Sequence, residues 1–187
     1  MLILASKSPR RKELIGRLGI PFEICPADVD ESVVTETDPE KTVLALAELK
    51  AQAVFKEHPN DLVLGCDTVV AIDGKILGKP RSVDEAKEML SLLSGKSHVV
   101  FSGVALMNGE KTVCRAVATK VHFAPLTEEE TLWYLDSGEP FDKAGAYGIQ
   151  GLGGLFVTHI EGDYKAVVGL PLQALYQMLK EEFGVTL

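Results

Sequence analysis

The chain has 187 residues, 46% of them hydrophobic and 25% charged, and its formal net charge at neutral pH is −8. This composition is typical of a globular protein with a substantial core, and the acidic balance argues against a general binder of nucleic acid or membrane surfaces, because both repel an acidic protein. Three cysteines without paired spacing favour reduced thiols, and the N-terminal apolar run is too short for a signal peptide. We therefore expect one cytoplasmic domain over residues 1–187.

The predicted elements alternate between strands and helices along the chain. The predicted strands are Leu2–Ala5, Phe22–Cys25, Leu62–Ile72 with a return arm ending at Gly78, His98–Met107, Thr112–Phe123, Leu155–Ile160 and Tyr164–Val168. The predicted helices are Pro9–Leu18, Pro39–Glu57, one from Ser82 to about Leu93, one capped by Thr127 and ending near Gly138, and one from Pro171 to Gly184. Because hairpins are interleaved with crossover helices, this order predicts an α/β fold with a mixed sheet and flanking helices.

The start of the first helix carries an unusual cluster of cations. Ser8 suits the N-cap and Pro9 the first helical position, so Arg10 and Arg11 fall in the first turn, together with Lys12. A helix N-terminus already carries partial positive charge, which disfavours cations there. Free backbone N–H groups, the Ser8 hydroxyl and two arginines together favour a site for anions, most plausibly phosphates. A solvated basic helix start is the alternative.

Two further charges stand in apolar surroundings. Asp67 lies inside the apolar strand Leu62–Ile72, where an unpaired carboxylate would cost several kcal/mol, so it requires a cation, a metal or several hydrogen bonds. An aspartate bonded to loop amides is the alternative. Lys50 lies on the same helical face as the apolar residues Val43, Ala47 and Val54, which points to a lysine in apolar surroundings. The alternative is a lysine whose stem covers apolar surface while its ammonium group reaches water at the edge.

Three loop features carry possible ligand groups. Lys79 stands between Gly78 and Pro80, and alone it could be an ordinary solvated charge. Asp28, Asp30 and Glu31 offer oxygen ligands for a divalent metal, although a solvated acidic loop is the more common reading. The glycine-rich segment 139–151 would let backbone approach a ligand closely, and a structural Ω-loop is the alternative. Taken together, the cations and carboxylates favour phosphoryl or nucleotidyl chemistry.

Several segments resemble the Maf (septum-formation protein) family, in order along nearly the whole chain. They are Ser6-Lys7-Ser8-Pro9-Arg10-Arg11, Gly65-Cys66-Asp67-Thr68-Val69-Val70, Gly78-Lys79-Pro80 and Phe141-Asp142-Lys143-Ala144-Gly145-Ala146-Tyr147-Gly148-Ile149-Gln150-Gly151. The resemblance implies an inosine-triphosphatase-like fold with two lobes around a deep cleft. It also implies a metal-dependent pyrophosphatase that converts a nucleoside triphosphate to the monophosphate and pyrophosphate, with Mg²⁺ or Mn²⁺ as cofactor, and a homodimer, which is common in the family.

The resemblance also implies roles for single residues. Asp67 matches the position of the proton acceptor and is expected to bind the metal, and Glu31 matches the position of a metal ligand. Arg10, Thr68 and Gln150 match positions linked to substrate choice, in the combination of the branch that acts on dTTP and UTP. The remaining matches are basic positions that bind phosphates: Arg11, Lys50 and Lys79.

Two other functions remain open from the sequence. A nucleotide-sensing regulator of cell division would bind a nucleotide without significant turnover, and a pyrophosphatase for modified nucleotides would use dTTP and UTP only as surrogates. The embedded carboxylate of Asp67 favours an enzyme, because a sensor of anions gains nothing from negative charge near phosphates. The amide of Gln150 can pair with uracil or thymine but, turned over, also with cytosine, so by itself it does not exclude CTP.

Overall fold

The computed structural model describes residues 1–186. The strands are β1 (Leu2–Leu4), β2 (Phe22–Ile24), β3 (Leu62–Ile72), β4 (Lys75–Leu77), β5 (Ser97–Met107), β6 (Thr112–Phe123) and β7 (Val157–Glu161). The helices are α1 (Pro9–Gly16), α2 (Pro39–Phe55), α3 (Val83–Leu93), α4 (Glu128–Asp136), α5 (Tyr164–Val168) and α6 (Leu172–Phe183). Among these described helices, none combines the length and the apolar character that a bilayer span requires.

The strands of residues 1–186 form one seven-stranded sheet in the order β2-β1-β3-β5-β6-β7, with β4 paired to β3. β1 is parallel to both of its neighbours, with Leu2 opposite Phe22 on one side and Leu62 on the other. The β3–β4 and β6–β7 pairs are antiparallel. The combination of parallel and antiparallel pairs confirms the predicted α/β fold with a mixed sheet.

The chain divides into two units, each with its own core. The first unit comprises residues 1–68, 102–117 and the chain from Gly169 onward, and the second comprises residues 69–101 and 118–168. Apolar side chains, half of them alanines, form a core cluster in the first unit: Ile3, Ala5, Ala47, Ala51, Val54, Val63, Ala105 and Met107. The second unit has a larger cluster that includes the aromatic residues Phe123, Tyr134, Tyr147 and Phe156.

The helix caps were largely predictable because they depend on residues close in sequence. The Ser8 hydroxyl accepts from the Arg11 N–H at the start of α1. Thr127 and Glu130 form the reciprocal pair of hydrogen bonds at the start of α4, as the spacing predicts.

One predicted element is wrong. Tyr164–Val168 is predicted to be a strand, but it is the helix α5, and the strand before it, β7, pairs with β6. Asp163 starts the helix: its side chain accepts from the Lys165 N–H at 2.8 Å and its carbonyl accepts from the Val167 N–H at 3.2 Å. A segment of five residues is too short for periodicity to distinguish a strand from a turn of helix.

Candidate functional site

Helix α2 lies directly against β3 and β5 in the first unit because two glycines remove the side chains between them. A Cβ on Gly65 of β3 would overlap the Ala47 carbonyl of α2, and one on Gly103 of β5 would come within 2.6 Å of the Val43 carbonyl. Only glycine permits such a close backbone approach. The contact of Ala47 with Gly65 fixes α2 where Lys50, about one turn further along, can reach Asp67.

Lys50 connects two carboxylates of the first unit. Its Nζ lies 2.6 Å from Oδ1 of Asp67 and 2.8 Å from Oε1 of Glu31. Burial by itself would lower the pKa of Lys50, but attraction to Asp67 and hydrogen bonds to both carboxylates outweigh it and raise the pKa. Lys50 is therefore charged at neutral pH, and it supplies the cation that the embedded Asp67 requires.

The acidic loop contributes only part of what the sequence suggested. Glu31 reaches Lys50, whereas the Asp30 carboxylate caps the short 3₁₀ helix Glu31–Val33 by accepting from the N–H and the hydroxyl of Ser32. These bonds lower the pKa of Asp30. Asp28 is exposed. Glu31 is thus the carboxylate of this loop that meets the site.

Arg11 connects the start of α1 to two distant segments of the first unit. Its Nε donates to the Gly169 carbonyl at 2.9 Å, its Nη1 to the Ser6 hydroxyl at 3.2 Å and its Nη2 to the Thr68 hydroxyl at 3.2 Å. Thr68 also shares a 2.9 Å hydrogen bond with Ser102. A guanidinium has five N–H groups, so two remain after these three bonds. The position next to Asp67 in sequence, Thr68, is therefore tied to the basic start of α1.

The other predicted residues at the start of α1 lie on the same turn. Ser8 is partly buried, with its hydroxyl used as the N-cap and its own N–H donated to the Ser6 hydroxyl at 3.2 Å. Arg10 is partly buried, while Lys12 is exposed. Two of the three cations of the first turn thus lie at the edge of the buried face, as their spacing from Leu14 and Ile15 predicts.

The remaining two predicted site residues belong to the second unit. Lys79 and Gln150 are both exposed there, and their assignment to the substrate stays a prediction. Gln150 lies in a tight loop anchored by Glu139: Oε1 accepts from the Tyr134 hydroxyl at 2.8 Å and the Gly153 N–H at 3.0 Å, and Oε2 accepts from the Leu152 N–H at 2.9 Å. A Cβ on Gly151 would overlap the Glu139 carboxylate.

Several residues that organise these groups carry little or no signal in the sequence. Ser102 is fully buried within the apolar strand β5, and a lone hydroxyl in such a run was the signal for it. Gly169 has φ of +130°, a conformation that favours glycine, but no local motif announces it. The Glu139 anchor lay inside the glycine-rich segment that was singled out, without a sign of which side chain holds the loop.

The chemistry available in the first unit is that of anions and proton transfer. Partly buried arginines and a helix N-terminus can bind phosphate oxygens, and a buried carboxylate beside a lysine can orient a water molecule. The adjacent Cys66 is not a nucleophile, because complete burial raises its pKa to about 11 and only the thiolate is reactive.

Comparisons with known proteins agree with this picture. A family model described as Maf-like protein matches residues 1–182. The dTTP/UTP pyrophosphatase of Bacillus cytotoxicus is 54% identical over 179 residues, which cover 96% of this chain and 94% of that protein. The protein of the same name from Bacillus mycoides is 53% identical over 180 residues, with 96% and 94% covered.

Two solved structures share the fold at low identity. A HAM1 protein from Coxiella burnetii covers 96% of this chain and 98% of its own, at 16% identity and a TM-score of 0.55. The Ham1 protein of Staphylococcus aureus covers 81% of this chain and 77% of its own, at 15% identity and a TM-score of 0.51. At these identities the likeness concerns the fold alone, and it agrees with the predicted fold class.

Proposed function

The chain belongs to the Maf-like protein family, and from that membership and the geometry around Asp67 we propose that it is a nucleoside triphosphate pyrophosphatase acting on dTTP and UTP. The products are the nucleoside monophosphate and pyrophosphate. The relatives at 53–54% identity that carry the name dTTP/UTP pyrophosphatase support the choice of substrate.

The observation that carries the proposal is the ion pair of Asp67 with Lys50. Asp67 is 8% exposed within an apolar strand, and a purely structural role would be served as well by an apolar residue, because buried ion pairs add little net stability. Lys50 occupies Oδ1, which leaves Oδ2 to accept a hydrogen bond from water. In the proposed reaction, Asp67 accepts the proton of the water that attacks the α-phosphorus.

The cations of the first unit bind the phosphates in this proposal. Arg10 and Arg11 begin α1, where the backbone N–H groups of the helix N-terminus add to their positive charge. The two N–H groups that Arg11 does not spend on protein partners are available for phosphate oxygens. Lys50 partly neutralises Asp67 and Glu31, which would otherwise repel an anionic substrate.

A divalent metal, Mg²⁺ or Mn²⁺, fits the same carboxylates. Oδ1 of Asp67 and Oε1 of Glu31 both contact Lys50 Nζ, which brings the two carboxylates together, and the second oxygen of each carboxylate is the kind of ligand that hard cations prefer. Glu31 and Asp67 would hold the metal, which when bound supplies charge neutralisation for the phosphate oxygens. The side chains of this chain then orient the substrate and accept the proton.

The decisive experiment identifies the products of the purified protein. We expect dTTP and UTP, offered with Mg²⁺ or Mn²⁺, to yield the monophosphate and pyrophosphate, with slower turnover of CTP, ATP and GTP. Asp67→Asn should keep the fold, checked by circular dichroism, and lower kcat by at least about 100-fold, the usual contribution of a general base.

Two outcomes would contradict the proposed reaction, and a third would contradict the proposed substrate. Release of orthophosphate would indicate a phosphatase. Tight binding of dTTP or UTP without turnover, under conditions where the fold and the metal are intact, would indicate the nucleotide-sensing regulator instead. A preference for base-modified triphosphates over dTTP and UTP would keep the reaction but change the substrate.

A further inference from the structure

Three side chains of the second unit that can bind metals lie together on β6 and β7, and none of them belongs to the predicted site. Nε2 of His122 is 2.6 Å from Oε1 of Glu161, and Nε2 of His159 is 3.9 Å from the same oxygen. The two imidazole rings are stacked, with centroids 3.8 Å apart and planes 12° apart. The candidate ligand atoms of the three residues all lie within 4.8 Å of one another.

The register of the two strands enforces this arrangement. His122 is directly opposite His159, and Lys120 is directly opposite Glu161. Val121, between the two, is fully buried in the core. Because side chains alternate between the faces of a strand, burying Val121 puts His122 and its cross-strand partners on the outer face. A slip of one residue would expose Val121, so the cluster is specified by the core beneath it.

One ligand ring is already oriented by a second hydrogen bond. Nδ1 of His122 is 2.7 Å from the Ser97 hydroxyl of β5, on the side of the ring away from Glu161. Histidines that bind metals generally use their other ring nitrogen in this way, which fixes the ring and the tautomer. His122 is also the least exposed of the three, at 21%, against 58% for His159 and Glu161.

A simple ion pair does not account for the whole cluster. Glu161 paired with a protonated His122 would explain the 2.6 Å contact, and the bond to His122 lowers the pKa of Glu161. It would not explain why the His159 ring is stacked on that of His122 with its own Nε2 3.9 Å from the same carboxylate oxygen. Lys120, 3.9 Å from Glu161, is the cation that competes for the carboxylate.

We propose that His122, His159 and Glu161 bind a late first-row divalent transition metal, with Zn²⁺ the best match for two imidazoles and one carboxylate. Tetrahedral Zn²⁺ with bonds of about 2.0–2.1 Å requires ligand atoms about 3.4 Å apart. The 2.6 Å contact of His122 with Glu161 must therefore open by about 0.8 Å, the 3.9 Å contact of His159 with Glu161 must close by about 0.5 Å, and the rings must tilt out of their stack. The exposure of His159 and Glu161 leaves room for that rotation, and water completes the coordination. The metal would cross-link β6 to β7.

The choice of metal distinguishes this site from the one at Asp67 and Glu31. Imidazole nitrogen favours zinc, nickel and copper, whereas two carboxylates favour magnesium and manganese. The inference therefore does not depend on the proposed function, and the two can fail separately. A second described cluster, Cys25 with Glu57 and His58 of the first unit, supplies a control for zinc bound elsewhere.

The test is calorimetric titration of the purified protein with ZnCl₂ in a buffer without chelating groups. We expect one binding event. His159→Asn and Glu161→Gln should each weaken the affinity for zinc by at least about tenfold. Asp67→Asn and His58→Asn should leave the affinity unchanged. Because binding to the folded state alone raises stability, zinc should also raise the Tm of the wild type and of His58→Asn but not of His159→Asn.

Both variants, His159→Asn and Glu161→Gln, should fold as the wild type does, because His159 and Glu161 are mostly exposed. Their Tm without metal checks this. The proposal is overturned by the absence of a zinc-binding event, by an event that survives both His159→Asn and Glu161→Gln, or by one that only His58→Asn removes. Broadening of the imidazole signals of His122 and His159 by Ni²⁺ would give an independent positive result.

Discussion

Lys50 and Asp67 form an ion pair that is largely withdrawn from water: Nζ and Oδ1 are 2.6 Å apart, and the two side chains are 13% and 11% exposed. The second carboxylate on Lys50, from Glu31, is 56% exposed. Water therefore screens the contact with Glu31 far more than the contact with Asp67. The energetic consequence is asymmetric, because removal of Lys50 would leave Asp67 charged, buried and without its cation.

Replacing Lys50 with methionine tests this asymmetry. We expect Lys50→Met to lower the free energy of unfolding by about 3–5 kcal/mol, the usual cost of breaking a buried pair. Urea denaturation measures the change. The matched control is Lys96→Met, which removes a 3.0 Å pair with Asp73 in which both partners are about half exposed, and it should cost less than about 1 kcal/mol. Equal losses of unfolding free energy in Lys50→Met and Lys96→Met would show that burial does not make the Lys50–Asp67 pair more important than an exposed pair.

Replacing Gly65 with alanine tests the close approach of α2 to β3. The added Cβ would overlap the Ala47 carbonyl, so α2 must move away and carry Lys50 with it. We expect a loss of at least about 1–3 kcal/mol in the free energy of unfolding, together with a loss of turnover.

The control for this substitution is Gly16→Ala, at the end of α1, where nothing lies within 4 Å of the added Cβ. Alanine is the better helix former and restricts the unfolded chain, so we expect stability to rise by about 0.4–1 kcal/mol. A Gly65→Ala protein as stable and active as the wild type would show that α2 tolerates displacement.

Replacing Glu139 with glutamine tests the anchor of the loop that carries Gln150. Burial alone would raise the pKa of Glu139, but backbone hydrogen bonds from Gly153 and Leu152 outweigh it and lower the pKa. Glutamine places an NH₂ group against one of these N–H donors, so we expect the free energy of unfolding to fall by about 1–3 kcal/mol. Amide exchange at residues 148–153 should become faster.

The matched control for Glu139→Gln is Glu128→Gln on α4, because the Glu128 side chain is 76% exposed. This substitution should change the free energy of unfolding by no more than about 0.5 kcal/mol. If Gln150 takes part in substrate choice, Glu139→Gln should also reduce the preference for UTP over CTP. Unchanged amide exchange in the loop would count against an anchoring role for Glu139.

The pH dependence of stability should depend on His98 of β5. Burial, with a smaller contribution from His122, lowers the pKa of His98 to about 4, against about 6.5 in an unfolded chain. The unfolded state therefore binds the proton more readily, and the free energy of unfolding falls as pH drops from about 6.5 to about 4, by on the order of 3 kcal/mol. Urea titrations across this range measure the slope.

The control for the pH experiment is His98→Phe, which removes the titrating ring but keeps an aromatic contact with Phe123 and Tyr147. It leaves the Tyr147 hydroxyl without the 2.7 Å bond to His98 Nε2, so its stability at pH 7 should be lower. The slope between pH 6.5 and 4.5 should be flatter than in the wild type, and an identical slope would assign the effect to other groups.

Part of the site was predictable because it depends on local rules. Pro9 after Ser8 places the start of α1, and the apolar run around Asp67 requires a compensating partner wherever it occurs. The nature of that partner was not predictable: a cation, a metal and loop amides all satisfied the requirement. The pattern of residues marked Lys50 by its place on an apolar helical face, which an edge position would have explained equally well, and the family resemblance assigned it to phosphates rather than to Asp67.

The sequence by itself determined the features that depend on interactions within a few residues. These are the bounds of β3 and β6, the capping box of α4, the cations in the first turn of α1, and the motifs that place the chain in its family. Only the tertiary structure decided which of these groups meet. Arg11 bonds to a carbonyl 158 residues away, and Lys50 reaches Asp67 because Gly65 has no side chain. Such contacts depend on how helices pack on the sheet, and neither periodicity nor capping carries that information.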